Sequence, residues 1–148
     1  MTEYKIYGFG YEGKTAEELI STLKTYEILT LVDVRLTPIS RKKGLSKTKL
    51  REAIEANGMG YVHLPALGNP KDNREGFASP YTAAWSDARH RFEELLRNDN
   101  AQDALDEVRS LMLNGNVGLL CFEANTKCCH RDVVINELSH GVFARQYT

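Results

Sequence analysis

The residues with the greatest capacity for chemistry lie near the end of the chain. Cys129, His130 and Arg131 are consecutive, and an apolar run before them ends in Cys121, with Glu123 two residues later. We predict that a helix begins at Cys129, where its dipole and the positive charge of His130 and Arg131 stabilise a thiolate. Cys129 is therefore predicted to be a reactive thiol and Cys121 its resolving partner. Glu123 is predicted either to orient His130 or to act as an acid or base.

Structural roles for the same residues stay open. Cys121 can be a buried small hydrophobe, because free cysteine is among the most buried residue types. His130 can simply cap the helix. Zinc takes four ligands such as cysteine and histidine, but the adjacent Cys128, Cys129 and His130 cannot all face one ion without strain, and no C-x2-C pair is present. We therefore predict no metal site.

A glycine-rich turn is the second candidate. Gly8–Gly13 reads G-x-G-x-x-G after a predicted strand, and Asp33 follows twenty residues after the last glycine. This pattern is typical of a dinucleotide site, in which glycine backbone approaches the phosphates and the acid binds a ribose hydroxyl. The predicted helix begins only at Thr15, which favours a tight strand-to-helix turn. Gly10 and Tyr11 are candidate ligand-binding residues, and the cofactor is unknown.

Two further charged features follow the second predicted strand. Asp33 and Arg35 are two residues apart on a strand, so their side chains share one side and form either an ion pair or, with Arg131, an anion clamp. Seven basic residues and no acidic one lie from Arg35 to Arg51. This stretch is either a solvated surface or, with Ser40 as a hydroxyl donor, a contact surface for phosphate or nucleic acid.

Composition limits the class of protein. With 148 residues, of which 42% are hydrophobic and 26% charged, the chain is expected to fold as one domain over residues 1–148. The net charge is only −1, so any affinity for nucleic acid must be local. Three cysteines cannot make the even disulfide framework of a secreted protein. The first ten residues lack the pattern of a signal peptide and no apolar run reaches the length of a spanning helix, so we expect a cytoplasmic protein that does not bind membranes.

Apolar runs and helical periodicity alternate along the chain. Strands are predicted at 5–9, 29–34, 61–64, 117–122 and, at an edge, 142–147; helices are predicted to start at Thr15, Ser46, Ser79, Asn100 and Cys129. A mobile surface loop is predicted at 65–79. The alternation predicts a three-layer α/β fold, a Rossmann-like, mostly parallel sheet with helices on both faces. Its strand ends should bring the candidate residues into one cleft.

Several ordered motifs resemble the domain-of-unknown-function (DUF) 488 family. They are Gly10-Tyr11-Glu12-Gly13, Val32-Asp33-Val34-Arg35 with Pro38 and Ser40, Tyr61-Val62-His63-Leu64-Pro65 with Leu67-Gly68, Leu119-Leu120-Cys121 with Glu123, and Cys129-His130-Arg131. The resemblance spans about residues 4 to 140. It implies a cytosolic α/β domain and supports the site positions, but it implies no reaction. Cys128 departs from the family's cysteine pattern.

These observations predict an enzyme that binds a phosphate-bearing or other anionic ligand, a small molecule or nucleotide, at the carboxyl ends of the strands. A non-catalytic nucleotide- or nucleic-acid-binding module that uses the basic segment 35–51 is the alternative. The enzyme hypothesis requires Cys129 to be a thiolate, and the binding-module hypothesis does not. The sequence predicts neither the substrate nor the oligomeric state.

Overall fold

A parallel sheet organises the chain, of which the computed structural model describes residues 5–38, 40 and 43–139 and the strand at 146–147. Strands are β1 (Ile6–Gly10), β2 (Ile28–Asp33), β3 (Gly60–His63), β4 (Asn116–Cys121) and β5 (Gln146–Tyr147), and helices are α1 (Ala16–Thr25), α2 (Lys47–Ala56), α3 (Ala83–Leu95), α4 (Asp99–Met112) and α5 (Arg131–Ser139). The strand order is β3-β2-β4-β1-β5, and every pair is parallel. The predicted α/β class is confirmed.

Parallel pairing places the carboxyl ends of the strands at one edge. Gly10 of β1 is level with Cys121 of β4, and Asp33 of β2 is level with Leu120 of β4 and His63 of β3. We call this the carboxyl edge. It gathers the polar residues that sequence spacing had assigned to separate strand ends.

Helices cover both faces of the sheet. On one face, α1 and α2 pack onto β1, β2 and β4 through side chains such as Leu19, Leu31 and Leu50. On the other face, α3, α4 and α5 enclose a larger core that includes Phe92 and Val134. Each large apolar side chain removed from water contributes about 1.5–3 kcal/mol. These two cores therefore hold the three layers together and fix the carboxyl edge.

Local capping explains where α1, α3 and α4 begin. The predicted start of α1 at Thr15 is confirmed, and a capping box forms it: the Thr15 hydroxyl accepts a hydrogen bond from the Glu18 N–H at 3.1 Å, and the Glu18 carboxylate accepts one from the Thr15 N–H at 2.9 Å. The predicted start of α4 is wrong by two residues, since Asn98 is its cap and accepts from the Ala101 N–H at 2.8 Å. An asparagine stands at both positions 98 and 100, so the local signal was ambiguous.

The predicted start of α3 at Ser79-Pro80 is also wrong. The helix begins at Ala83, because the Thr82 hydroxyl accepts a hydrogen bond from the Trp85 N–H at 3.2 Å. Tyr81 has a φ of 69°, in the left-handed region that a right-handed helix excludes. Tyr81 is 75% exposed, although its place in an apolar stripe with helical spacing predicts a core residue, so that prediction is wrong as well.

The segment at 65–79 contains neither an α-helix nor a strand and has many exposed residues, as expected for a surface loop, but it is not irregular throughout. It forms three short 3-10 helices, Pro65–Leu67, Lys71–Asn73 and Glu75–Ala78. Leu67 and Phe77 are buried in the larger core and anchor the segment. It lies beside the carboxyl edge, because Asn69, Arg74 and Phe77 line a cavity there together with Cys121.

The end of the chain adds a short edge strand. Gln146 and Tyr147 pair in parallel with Ile6 and Tyr7 of β1. The rest of the strand predicted at 142–147 lies outside the described residues. In the described ranges, no helix is both long enough and apolar enough to cross a membrane.

Candidate functional site

A cavity of about 130 Å³ opens at the carboxyl edge. Its wall combines the ends of β1, β2 and β4, the segment at 65–79 and the turn before α5. The lining residues are Tyr11, Arg35, Leu36, Thr37, Asn69, Arg74, Phe77, Cys121, Phe122, Glu123, Cys128, Cys129 and His130. Six predicted site residues thus share one cavity, whereas Gly10, Asp33, Ser40 and Arg131 do not line it.

Cys121 and Cys129 form a disulfide across this cavity wall. Cys121 is the last residue of β4, and Cys129 follows a 3-10 turn, Thr126–Cys128, that reverses the chain. The Asn125 side chain accepts a hydrogen bond from the Lys127 N–H at 2.9 Å and closes this turn. Both cysteines are 2% exposed. Local turn chemistry therefore brings the two sulfur atoms together.

The prediction that α5 begins at Cys129 is wrong by two residues. Cys129 has an extended backbone, with φ −140° and ψ 146°, and α5 begins at Arg131. The Cys129 Sγ nevertheless receives the backbone N–H of Arg131 at 3.5 Å. The sulfur atom thus faces the N-terminus of α5, where partial positive charge favours a thiolate in the reduced protein.

The Arg131 side chain is fully buried behind the disulfide. Its Nη1 donates to Cys121 Sγ at 2.7 Å, and its Nη2 donates to the Ala124 carbonyl at 3.2 Å and the Thr126 hydroxyl at 3.3 Å. No carboxylate in the described part of the chain forms a salt bridge with it. Burial lowers the pKa of Arg131 to about 10, against the opposing charge of Glu123. The guanidinium stays charged at neutral pH and faces a sulfur atom.

The glycine motif makes room for this arrangement. A Cβ atom at Gly8 would lie 3.0 Å from Arg131 Nε, and one at Gly10 would overlap the backbone carbonyl of Glu123. Gly13 has a φ of 77°, which glycine adopts without strain in the turn before α1. The spacing of the glycines is thus explained by packing and turn geometry within the chain.

His130 is held by the backbone of the segment after β2. Its Nε2 lies 2.9 Å from the Val34 carbonyl and donates to it, so Nδ1 keeps a lone pair and lies 3.5 Å from Cys129 Sγ. Burial, together with the charges of Arg131 and Arg74, lowers the pKa of His130 to about 4. His130 is therefore neutral at pH 7, and the expectation that it adds positive charge beside Cys129 is wrong.

Glu123 is placed beside the other sulfur. Its Oε2 lies 3.5 Å from Cys121 Sγ. The Val34 carbonyl, rather than Glu123, orients His130 through the bond at 2.9 Å. In the reduced protein the Glu123 carboxylate is therefore within reach of the Cys121 thiol proton.

Asp33 and Arg35 form the ion pair that was one of the two alternatives. The Asp33 carboxylate accepts from Arg35 Nε at 2.8 Å and from Nη2 at 2.7 Å, and it also accepts from the Tyr61 hydroxyl. Arg35 Nη1 donates to the Leu45 carbonyl at 2.6 Å. Burial acts to lower the pKa of Arg35, but the hydrogen bonds and charge of Asp33 raise it overall. Most donors of Arg35 are thus occupied inside the protein.

Arg74 is a cavity residue that sequence reasoning missed. Its Nε donates to the Asn69 carbonyl at 3.1 Å, and within the described chain it forms no salt bridge. The Arg74 residue is exposed and lines the cavity with the buried Asn69. The segment at 65–79 carries no periodic signal, so only its length marked it as a functional region.

Ser40 lies apart from the cavity lining. Its backbone N–H donates to Ser46 Oγ at 2.9 Å, and Ser46 Oγ donates to its carbonyl at 3.1 Å, ahead of α2. Arg41 and Lys42 of the basic segment lie outside the described residues. The other four basic residues after Arg35 in that segment are exposed: Lys43, Lys47, Lys49 and Arg51.

Comparison with models of protein families gives a match over most of the chain. A family model described as a domain of unknown function, DUF488, matches residues 15–138. No curated protein and no solved structure shows a significant match.

Proposed function

The chain belongs to the DUF488 family, a domain of unknown function, and from the residues of its cavity we propose that it is an enzyme that carries out thiol–disulfide chemistry on an anionic substrate at the carboxyl edge. One observation carries the proposal: Cys121 and Cys129, which form a disulfide, line the same cavity as Arg74. A disulfide that lines a cavity beside a cation without a salt bridge among the described residues combines a redox centre with a binding group.

The reduction of the substrate needs no group beyond the two cysteines and the substrate itself, and a dithiol reductant then restores the protein. In the dithiol form, the attacking thiolate displaces one sulfur of a substrate disulfide and forms a mixed disulfide. The second cysteine then displaces the remaining substrate sulfur and closes the bond between Cys121 and Cys129. Two electrons pass to the substrate, which leaves as two thiols. A dithiol reductant returns two electrons to the protein and is itself oxidised to a disulfide.

The contacts of the two sulfur atoms differ, and they favour Cys121 as the attacking residue. Arg131 Nη1, at 2.7 Å, stabilises negative charge on Cys121, and Glu123 Oε2, at 3.5 Å, can accept its proton. Cys129 receives only a backbone N–H, at 3.5 Å, and faces the neutral His130. We therefore exchange the roles predicted from the sequence, and Cys129 resolves the mixed disulfide.

Arg74 is proposed to bind the negative charge of the substrate. Arg35 has most of its donors bound to Asp33 and Leu45, and Arg131 lies behind the cavity wall. Arg74 uses its Nε on the Asn69 carbonyl and presents its remaining donors beside the cavity. Guanidinium binds carboxylate and phosphate oxygens with two parallel hydrogen bonds. The substrate class is therefore a small disulfide that carries a carboxylate or a phosphate.

The test compares two small aromatic disulfides in a Cys128→Ser background kept free of metal. The reduced protein is mixed with dithiobis(nitrobenzoate), which is anionic, or with dithiodipyridine, which is neutral. We expect two thiols released per protein from either probe, with the bond between Cys121 and Cys129 recovered in the product. Arg74→Met should slow the anionic probe by a factor of about five, equivalent to about 1 kcal/mol for one exposed charge contact.

The matched control is Arg97→Met, since Arg97 is an exposed arginine that does not line the cavity and is paired with Glu94 at 2.8 Å. It should change neither rate. Equal slowing of the neutral and anionic probes by Arg74→Met would contradict a role in anion binding. Release of a single thiol, with Cys121 and Cys129 left unjoined, would overturn the proposed reaction.

Weak nucleic-acid binding is a second candidate, favoured by the exposed basic side chains near the start of α2, whose first turn holds no acidic residue. Contact with phosphates should give sequence-independent binding whose log affinity falls with log salt by about 0.9 per contact on duplex DNA. Replacing Lys47 and Lys49 with alanine should lower both affinity and slope. Absence of binding at low ionic strength would reject this candidate.

A further inference from the structure

We propose that the reduced protein binds one zinc ion through Cys121 Sγ, Cys129 Sγ and His130 Nδ1, with a fourth coordination position open to the cavity. Three ligand atoms, one from each residue, lie within 4.8 Å of one another, and all three residues are buried. The inference goes beyond the proposed function, because it requires the same cysteines but no substrate and no turnover.

The histidine is prepared as a ligand by its own hydrogen bond. Its Nε2 donates to the Val34 carbonyl at 2.9 Å, which leaves the Nδ1 lone pair directed at the sulfur atoms, 3.5 Å from Cys129 Sγ. Histidine ligands in metal sites are oriented in this way by a carbonyl or carboxylate on the other ring nitrogen. Two cysteines and one histidine are a set that catalytic zinc sites use when they keep one position open.

The sulfur atoms also have the surroundings of metal-bound thiolates. Arg131 Nη1 donates to Cys121 Sγ at 2.7 Å, and the Arg131 backbone N–H donates to Cys129 Sγ at 3.5 Å. The Cα atoms of the two cysteines are 7.5 Å apart, which is wider than the roughly 4.4–6.8 Å usual for a disulfide. This span leaves room for the two sulfur atoms to separate, each at about 2.3 Å from a shared ion.

The sequence-based argument against a metal considered the wrong three residues. Cys128 does not join the group, because its Sγ faces the Ala78 carbonyl at 3.7 Å. Cys121 takes the third position from the end of β4, which is adjacent in space and not in sequence. The strain expected of three successive ligands therefore does not arise.

Zinc binding and the disulfide exclude each other. A disulfide sulfur carries no thiolate charge, so the ion binds only after reduction. A water-soluble phosphine supplies two electrons and becomes a phosphine oxide, with its oxygen taken from water, and two cysteine thiols form. Zinc then displaces the thiol protons to the buffer. Bound zinc should hold both sulfur atoms and prevent their reaction with a substrate disulfide.

The first test uses Co²⁺ as a spectroscopic probe in the full chain, reduced with phosphine under anaerobic conditions. We expect an intense sulfur-to-cobalt charge-transfer band that saturates at one equivalent and is bleached by Zn²⁺. Cys128→Ser is the matched control and should keep the band. Cys121→Ser and Cys129→Ser should each weaken it severalfold and His130→Gln should shift it. No band in the wild-type protein, or full intensity after Cys121→Ser, would overturn the site.

A second measurement uses only the wild-type protein, so a variant that fails to fold cannot decide the outcome. Zn²⁺ should protect Cys121 and Cys129 from iodoacetamide at least tenfold and leave Cys128 unprotected, as mapped by mass spectrometry. Equal alkylation of Cys121 and Cys129 with and without Zn²⁺ would overturn the site. Disulfide exchange by the metal-free protein is measured separately. Exchange without a cobalt band would reject the zinc site but not the proposed reaction. A cobalt band without exchange would reject the proposed reaction but not the zinc site.

Discussion

Two buried arginines stand at the carboxyl edge, and they differ in the partner that balances their charge. Arg35 is held by both oxygens of Asp33, and the pKa of Arg35 is raised. Arg131 donates to a cysteine sulfur and two neutral oxygens, and burial lowers the pKa of Arg131 to about 10. A guanidinium with a permanent counter-ion supports the fold. The partner of Arg131 is a cysteine sulfur, which is neutral in the disulfide and can carry a negative charge as a thiolate after reduction. A guanidinium with such a partner can take part in chemistry.

The largest effect is expected from removing the permanent counter-ion. Asp33→Asn leaves the Arg35 charge buried without compensation, which typically destabilises a protein by about 3–5 kcal/mol. Urea unfolding of the oxidised protein measures this change. The control is Asp72→Asn, because the ion pair of Asp72 with Arg91 is exposed and worth about 0–1 kcal/mol. A loss under 1 kcal/mol for Asp33→Asn would mean that Arg35 does not depend on its partner.

The next effect concerns His130, which lies between the regions of the two arginines. Its ring contacts the Val34 carbonyl, next to Arg35, and Cys129 Sγ, which accepts the backbone N–H of Arg131. Burial lowers the pKa of His130 from 6.5 to about 4, so the unfolded chain binds the proton more tightly than the folded one. The associated stability is present above pH 6.5 and is lost as the pH falls towards 4, by up to about 3 kcal/mol.

Urea unfolding of the oxidised protein between pH 7 and pH 4 measures the loss. His130→Gln should flatten this part of the profile, while His90→Gln should not, because His90 is exposed on α3. Identical profiles for the wild type and His130→Gln would show that His130 is already protonated or accessible in the folded protein.

A smaller effect is expected from removing the guanidinium that faces sulfur. Arg131→Met keeps an apolar stem but removes the donor to Cys121 Sγ. In the reduced, metal-free Cys128→Ser protein, iodoacetamide should then alkylate Cys121 about tenfold more slowly at neutral pH, which corresponds to about 1.4 kcal/mol of thiolate stabilisation. Mass spectrometry after timed quenching gives the rate, and Arg97→Met is the control. An unchanged rate would place Arg131 in the same structural class as Arg35.

The smallest expected effect tests how Arg131 is seated. Gly8→Ala places a methyl group 3.0 Å from Arg131 Nε, which requires the guanidinium to shift by a few tenths of an ångström. We expect a loss of about 1 kcal/mol in urea unfolding, at the lower end of the overpacking range. Gly60→Ala is the control, because its nearest neighbour is a Thr30 hydroxyl at 3.3 Å and no arginine. A larger loss for Gly60→Ala would separate the effect from Arg131.

Much of the fold was predictable because its signals are local or periodic. The buried strands β2 and β4 are nearly continuous apolar runs, as expected for a parallel sheet covered on both faces. The capping box at Thr15 is encoded within four residues. The start of α3 was not predictable, because Ser79-Pro80 and Thr82 are both good start signals and the left-handed backbone of Tyr81 decides between them.

The candidate site was predictable in position and less so in its contacts. The rule that ligands bind beyond the carboxyl ends of parallel strands selected Cys121, Glu123 and Arg35, which line one cavity. The direction of the Arg131 side chain depends on the absence of a Cβ atom at Gly8, a residue of β1 that is distant in the sequence. Arg74 comes from a segment without periodicity, and only tertiary packing brings it to the cavity.

The disulfide is also a mechanical connection between two layers of the molecule. It joins the last residue of β4 to the turn that leads into α5, while Arg131, the first residue of α5, reaches back to the same sulfur atom and to the Ala124 carbonyl. When the disulfide is reduced, the covalent bond between β4 and the turn before α5 is lost, and the hydrogen bond of the Arg131 guanidinium to Cys121 Sγ remains between α5 and β4. The oxidation state of the two sulfur atoms therefore determines how rigidly α5 is connected to β4, the central strand.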